Sequence, residues 1–461
     1  MMVVILFRNP IESASSIAQR ATKTVYVESY GCSVNNSDLE IMLAALTNAG
    51  YAIIDDVNLA DIILFNTCGV KTPTEDKILG RMHALGLLNK PLIIAGCLPK
   101  INLQAIYKRA PNFSVALDPY STDRIVEAVQ YAEKGESNRL FFSEKPVIKL
   151  IQPKVRLSKS IEIVQISEGC TGACSFCCVR FARGSLFSYP KELILDKISK
   201  AVLEGVREIW ATSQDNGAYG LDIQTNLAEL LEECCRIEGE FWIRVGMMNP
   251  NHALRIVDPL VQAYKNDRVF KFLHIPVQSG DDEVLRLMNR FYSIEDFRCL
   301  VSTFRKEIPN ITLATDIICG FPGETKEAFE RTIALVEEVK PDVVNVSKFF
   351  PRPRTQAERM EQLPVEEVKA RGQQLMEIVR KIAVDGNRAW VNWEGKVLID
   401  ERGRNDSWVG RNYAYRPVVV KSQDNLLGRF VYAHVNEAFS TYLKAEILSA
   451  PHAREPKKEH N

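Results

Sequence analysis

The densest chemistry in this chain of 461 residues is the run E-G-C-T-G-A-C-S-F-C-C at 168–178. Cys170, Cys174 and Cys177 form C-x3-C-x2-C directly after the strand-like IEIVQIS. Three thiolates within eight residues of a strand-to-helix loop can wrap one compact metal centre, and the interleaved glycines let the backbone bend around it. A structural zinc site asks for a fourth protein ligand, and only Cys178 adjoins the motif. Three thiolates suit a four-iron four-sulfur cluster with one iron left open, which can chelate a cofactor or a substrate. On the residues alone, a zinc knuckle and buried free thiols stay as alternatives.

A second set carries no short motif. Cys32 follows TVYVES in Y-G-C, Cys68 follows DIILFN in N-T-C-G, and Cys97 follows PLIIAG in G-C-L-P. The carboxyl ends of strands in a parallel sheet share one edge, where ligands bind. Three cysteines at the same topological position argue for a second metal centre, although each one alone reads as a core thiol. Cys234, Cys235 and Cys299 fall on predicted helices and Cys319 lies in I-C-G-F-P-G, so none repeats the pattern.

The elements that must position these residues fall into three regions. Residues 1–145 alternate short β-branched runs with helical stretches, which predicts a parallel α/β domain. In it, Ser37 and Glu40 have capping-box spacing and Gly50 stands as a helix C′ residue. Residues 136–158 lack a clean period and read as an extended linker. From 155 to 384 six apolar runs (IEIVQIS, EIWATS, FWIRVG, FKFLHIP, ITLATDIICG, DVVNVSKFF) are each followed by helical sequence. Periodicity alone leaves a doubly wound sheet and an incomplete barrel equally open. Residues 386–449 alternate with period two and hold three of the five tryptophans, which predicts a small β-barrel. The tail PHAREPKKEHN is expected to be disordered.

Lys plus Arg and Asp plus Glu are both 58, so a histone-like basic binder is excluded while a local basic face is not. No apolar run approaches the ~18 residues of a membrane helix. The opening MMVVILF is too short for a signal peptide. A cytoplasmic location and reduced or metal-bound cysteines are expected.

C-x3-C-x2-C with Phe176 before its last cysteine, opening six βα units, resembles the radical S-adenosylmethionine superfamily. The combination with Cys32, Cys68, Cys97 and the terminal barrel is similar to the methylthiotransferases over nearly the whole chain. That resemblance implies an N-terminal domain with an auxiliary cluster, a partial six-unit βα barrel, and a TRAM-like β-barrel. It also implies two 4Fe-4S clusters and S-adenosyl-L-methionine, used once as methyl donor and once as radical source. No general acid or base is assigned, because an aromatic C–H without acidity yields to a radical rather than to a base.

Polar residues ending the strand-like runs are candidate cofactor or base contacts: Gln214, Asp215, Arg244, Asn249, Gln278 and Asp316, with Phe176 beside the cluster. His274 is expected to be an oriented structural histidine. In the terminal barrel Arg402, Arg404 and Arg411 alternate with Trp408 and Tyr413, a pattern suited to stacking on RNA.

T-S-Q-D-N-G-A-Y-G, I-C-G-F-P-G-E-T and F-F-P-R-P resemble the archaeal–eukaryotic branch, which methylthiolates N6-threonylcarbamoyladenosine of tRNA at carbon 2. Here Arg354-Thr355-Gln356 replaces the branch's Gly-Thr-Pro after F-P-R-P. The resemblance implies tRNA as partner, a flavodoxin- or ferredoxin-like electron donor, and a sulfur donor. Another modified adenosine or a protein side chain is the alternative substrate. A non-catalytic, metal-stabilised RNA-binding protein is the alternative of another class.

Overall fold

TVYVES, DIILFN and PLIIAG become the centre of a seven-stranded sheet and are buried along most of their length, as near-continuous apolar strands in a parallel sheet must be. The computed structural model describes residues 3–6, 23–69 and 72–448. The tail PHAREPKKEHN lies outside the described residues. The strands are β1 (Val3–Leu6), β2 (Thr24–Gly31), β3 (Ala52–Ile54), β4 (Ile62–Thr67), β5 (Leu92–Gly96), β6 (Val115–Leu117) and β7 (Arg139–Phe141). Their order is β1-β2-β4-β5-β6-β7 with β3 also on β2, and every pairing but β1–β2 is parallel.

Helices α1 (Ser33–Asn48), α2 (Thr72–Gly86), α3 (Leu98–Ile101), α4 (Leu103–Arg109) and α5 (Ile125–Glu133) flank this sheet. Leu39, Met42 and Val129 cover one face, while Ile78, Met82 and Ile106 cover the other. Two local expectations change. α1 starts four residues before Ser37, with Cys32 at its N-cap, so Ser37 is a buried interior residue and no capping box forms there. Glu40 instead accepts from the Leu157 N–H and pairs with Lys154. Gly50 does take the positive φ (90°) of a helix end. The segment read as a linker donates β7 to the sheet and brings Lys149 and Lys154 into the interior.

The six later runs form β8 (Ile161–Gln165), β11 (Glu208–Thr212), β12 (Trp242–Val245), β13 (Phe272–His274), β14 (Thr312–Cys319) and β15 (Val343–Lys348). Between β8 and β11, the short β9 (Ser167–Glu168) and β10 (Phe187–Ser188) pair antiparallel, flanking α6 (Val179–Arg183). The six long strands lie side by side in chain order, with a parallel bridge Ile243–Val269 joining two three-stranded arcs. A doubly wound sheet would reverse its order at a switch point. This one does not, so the unit is a partial barrel.

Residues after the long helix Val365–Arg388 close a five-stranded barrel in the order β16-β17-β18-β20-β19. Its strands are β16 (Glu394–Arg402), β17 (Ser407–Asn412), β18 (Pro417–Lys421), β19 (Phe430–Ala438) and β20 (Leu443–Ile447). This barrel packs against the amino-terminal ends of the partial-barrel strands. Tyr415 inserts among Phe270 and Phe272 at centroid distances of 4.8 and 5.0 Å. Its hydroxyl donates to Glu208 at 3.2 Å, and Trp210 Nε1 donates to the same carboxylate.

Burial, then the neighbouring Asp400 carboxylate, pushes the Glu208 carboxyl up to about 8 from an ordinary 4.5. Folding therefore favours its protonated form. The stability this supplies is complete below pH 4.5 and is lost as pH rises toward 8, by up to about 1.4 kcal/mol per pH unit. Glu208→Gln keeps an acceptor for Trp210 and removes the titration. Thermal denaturation is expected to show parent and variant melting together near about pH 5, and the variant several degrees higher near about pH 8.5.

Candidate active site at the facing edges of two sheets

Strand register decides where the first cysteine set lies. Thr67 is level with Gly96 and Ser29 with Asn66, which puts Cys97 level with Cys68 and Cys32 one residue beyond. Gly96 makes this possible. Its φ is +97°, and a Cβ there would meet the Thr67 carbonyl at 2.2 Å. The Cys97 N–H donates to that carbonyl at 3.0 Å. Cys68 and Cys97 are buried and Cys32 is exposed, at one edge of the first sheet. That edge faces the partial barrel: next to Cys32, the Ser33 hydroxyl lies 2.7 Å from that of Thr212, at the carboxyl end of β11.

The second set is held by a loop that is fastened at almost every residue. Gly169, before Cys170, has φ +76°, and an added Cβ would fall 1.9 Å from the Ser185 carbonyl. Its N–H donates to Gln214 Oε1 at 2.6 Å. Gly172 sits between sulfurs, since a Cβ there would stand 3.2 Å from Cys170 Sγ and 3.7 Å from Cys174 Sγ. The far side of the loop is laced to residues 287–290. Asn289 Nδ2 donates to the Ala173 carbonyl at 2.8 Å, Ser175 N–H to the Met288 carbonyl at 3.0 Å, and Arg290 Nη1 to Cys174 Sγ at 3.2 Å.

Asp215 anchors a polar cluster beside that loop. It accepts from the Asn249 backbone and side chain, the Gly217 N–H, and the His252 ring at 2.6 Å. Burial alone would raise this carboxyl, but the His252 and Asn249 hydrogen bonds hold it below its ordinary value. Asn249 in turn accepts from Arg290, and the other His252 nitrogen lies 3.3 Å from the Thr171 hydroxyl. A cavity of about 360 Å³ opens here, lined by Thr171, Gly172, Cys174, Asn249, His252 and Arg290.

Among the described residues no three Cys, His, Asp or Glu side chains converge on one metal-ion position. The donor set fits a larger group. Cys170 and Cys174 flank a glycine whose missing side chain leaves the space between their sulfurs open, and N–H donors from Gly172 and Arg290 already point at sulfur. Burial, followed by Asp215, pushes the Cys170 thiol up to about 11. Burial and the adjacent Cys174 and Cys178 push Cys177 up to about 12. Metal binding there has to release protons.

The other expected contacts separate. Gln214 positions the loop through Gly169. Phe176 packs edge-to-face on Phe321, 6.2 Å away. Gln278 takes a left-handed φ of 69° and joins β14 through its backbone. His274 is oriented by Asp316 at 3.2 Å. Arg244 does not line the cavity. Its guanidinium lies 5.4–5.5 Å from the rings of Trp210, Phe272 and Tyr415, at the junction with the terminal barrel.

The proposed RNA contacts divide as well. Arg402 and Arg404 are exposed. Trp408 is not, because the inward period of β17 places it in the barrel core. Arg411 is bound to Asp400 at 3.0 Å, and Tyr413 packs on Trp390 and Trp393.

Residues 178 and 352–354 fasten the two sheet edges together. Cys178 Sγ donates to the Gly69 carbonyl at 3.2 Å, and Arg352 donates to the same oxygen at 2.7 Å while pairing with Glu75. The chain neighbour of Cys177 thus grips the chain neighbour of Cys68. Arg354 lies in a turn with a left-handed φ of 66°. Its guanidinium stacks 4.4 Å over Phe181 and donates to the Lys100 carbonyl. Asn289, Arg290, His252 and Arg352 were missed by sequence reasoning because no short spacing links them to the cysteines.

Two substitutions separate fold from ligation. Gly169→Ala is expected to lower both the melting temperature and the iron retained after anaerobic reconstitution. Cys178→Ala should retain full iron and lose about 1 kcal/mol of stability in denaturant titration.

Comparison with known proteins places this geometry. Residues 164–336 match the Radical SAM superfamily, 24–118 the Uncharacterized protein family UPF0004, and 392–448 the TRAM domain. A radical S-adenosylmethionine methyltransferase, TsrM, from Kitasatospora setae shares the fold with a TM-score of 0.55 at 13% identity, over 73% of this chain and 77% of that one. The probable threonylcarbamoyladenosine tRNA methylthiotransferase of Pyrococcus horikoshii is 43% identical over 92% of this chain and 99% of its own length. The human threonylcarbamoyladenosine tRNA methylthiotransferase is 36% identical over 92% of this chain and 74% of its own. With relatives at 43% and 36% identity matched over 92% of its length, the chain belongs to the threonylcarbamoyladenosine tRNA methylthiotransferase family.

Proposed function

We propose that the protein methylthiolates tRNA at carbon 2 of N6-threonylcarbamoyladenosine beside the anticodon. The observation that carries this reading is the meeting of two cysteine sets across one seam, with Cys178 hydrogen-bonded to Gly69. Residues 1–145 form the auxiliary domain, 155–384 the radical domain and 386–449 the RNA-binding barrel.

Cys170, Cys174 and Cys177 hold one 4Fe-4S cluster, and Cys32, Cys68 and Cys97 the second. With S-adenosyl-L-methionine, the first supplies radical chemistry and the second carries sulfur. The protein's own part is positioning. Gln214 and Gly169 fix the loop, Arg290 steadies Cys174, and Asp215 orders Asn249 and His252 along the cavity. That cavity, lined by Thr171, Asn249, His252 and Arg290 beside Cys174, would seat S-adenosyl-L-methionine. Arg402 and Arg404 meet the tRNA backbone, where phosphate contacts give a salt-dependent affinity. No helix among the described residues is long and apolar enough to cross a membrane. The protein works in the cytoplasm with a flavodoxin- or ferredoxin-like electron donor and a separate sulfur donor.

Mass spectrometry of tRNA nucleosides from cells with and without the enzyme tests the product directly. Loss of the methylthio nucleoside is expected, and an unchanged nucleoside profile would exclude this substrate. Cys174→Ala should end formation of 5′-deoxyadenosine. The triple variant at Cys32, Cys68 and Cys97 should keep that product, lose sulfur insertion, and drop to about half the iron per chain.

The barrel is tested on its surface, because deleting it would uncover the floor under Trp242, Phe270 and Phe272. The double variant Arg402→Ala/Arg404→Ala should bind tRNA roughly tenfold more weakly and with a shallower salt dependence, read by filter binding at several ionic strengths.

A further inference from the structure

Between the two cysteine sets lies a fully buried group of charges. Arg183, the last residue of α6, is 1% exposed. Its Nη1 reaches Asp38 Oδ2 and Glu168 Oε1, both at 2.7 Å. Lys149 bridges the same two carboxylates at 2.7 and 2.9 Å. Two cations and two carboxylates leave the group neutral. Asp38 stands on α1 six residues after Cys32, Glu168 stands two residues before Cys170, and Arg183 six residues after Cys177.

The other amino nitrogen of Arg183, Nη2, is buried and has no well-aligned hydrogen-bond partner among the described residues, while the guanidinium comes within hydrogen-bonding reach of the Cys97 sulfur. An unpaired buried donor on a charged group is costly, so it marks a place where a partner belongs. The geometry says which one. Ala182 and Cys178 pack directly on Cys97 and Ile101. Of the side chains near Arg183, Cys97 and Cys32 are the two sulfurs its guanidinium reaches, Cys97 as a side-chain hydrogen-bond partner. The backbone cannot drift away, because the Tyr120 hydroxyl donates to the Arg183 carbonyl at 2.5 Å. Gly184 has φ +65°, and a Cβ there would meet the same hydroxyl at 2.4 Å.

We propose that Arg183 is a positioning residue for the auxiliary centre: clamped by Asp38 and Glu168, it offers Nη2 as the hydrogen-bond donor to anionic sulfur held at Cys32, Cys68 and Cys97. The inference rests on the reading of those cysteines as ligands of a second cluster. The ligand class is a sulfur anion, a thiolate or hydrosulfide. A guanidinium suits it because one edge can grip carboxylates while the other faces sulfur, which the single ammonium of Lys149 cannot do. Hydrogen bonds to sulfur also shift the potential of an iron–sulfur centre.

The test uses the full chain carrying Cys170→Ala, Cys174→Ala and Cys177→Ala, reconstituted anaerobically so that only the auxiliary centre remains. Iron per chain is measured first, and about four irons are expected. Sodium hydrosulfide is then titrated while the electron paramagnetic resonance spectrum of the reduced centre and its midpoint potential are followed. Adding Arg183→Lys should leave the iron in place, lower the midpoint potential, and raise the hydrosulfide concentration at half-saturation about tenfold. Lys149→Met, which opens the same charge group but leaves the guanidinium in place, should change that concentration less than about threefold.

If Arg183→Lys leaves both readouts unchanged, or Lys149→Met changes them equally, the proposal is overturned. If Arg183→Lys fails to fold, the parent protein labelled with 15N-arginine decides: a hyperfine coupling between arginine nitrogen and the reduced centre supports the proposal, and its absence overturns it. A parent protein without iron overturns the two-cluster reading itself, and this proposal with it. Iron present without an Arg183 effect overturns this proposal alone.

Discussion

Charge removed from water on α1 is the constraint on which the rest of the structure depends. Asp38 and Glu40 are both fully buried, and neither finds its cation within its own sheet. Asp38 is met by Lys149 and Arg183, and Glu40 by Lys154, which also holds Glu162. Stranding one ion of such a pair costs about 3–5 kcal/mol, so neither unit can leave the other at low cost. Burial would raise the Asp38 carboxyl, but Arg183 and Lys149 hold it below its ordinary value, so its ionised form belongs to the fold. The edge bearing Cys32, Cys68 and Cys97 therefore faces the loop bearing Cys170, Cys174 and Cys177 by electrostatic necessity as much as by shape.

The cysteine loop solves a second problem, how to hold soft sulfur ligands still without crowding them. Positive φ at Gly169 and the open space at Gly172 supply the curvature. Stiffness comes from far along the chain, through Gln214 and the segment around Arg290. The polar cluster on Asp215 rests on the same supports, so cavity and cysteines form one rigid body.

The sequence made the cysteines legible because their chemistry is local, or repeats at strand ends. The six later strands were legible too, since each is a continuous apolar run. Their order was not, because barrel and doubly wound sheet share one period and differ only in which strands are neighbours. The Ser37–Glu40 spacing misled for a physical reason: Glu40 has a stronger partner in Lys154, and the helix starts at Ser33 with Cys32 as its N-cap. Arginine and aromatic residues alternating in the terminal barrel looked like a stacking surface. Period two turns Trp408 inward to the barrel core, while Asp400 holds Arg411 and the tryptophan pair Trp390 and Trp393 holds Tyr413. Arg354, where the resemblance leads one to expect glycine, takes a left-handed backbone itself and seats its guanidinium on Phe181.

The floor under the partial barrel has a mechanical meaning. Strand β16 runs from Glu394 to Arg402, and two residues before its end it places Asp400 against the pocket of Glu208. The exposed turn carrying Arg402 and Arg404 is thus the free end of a short rod whose other end is bolted to the floor of the partial barrel. Tyr415 and the rings around it allow no slack in that joint. Whatever that turn carries is held in register with the strands above it by construction, like a workpiece in a jig.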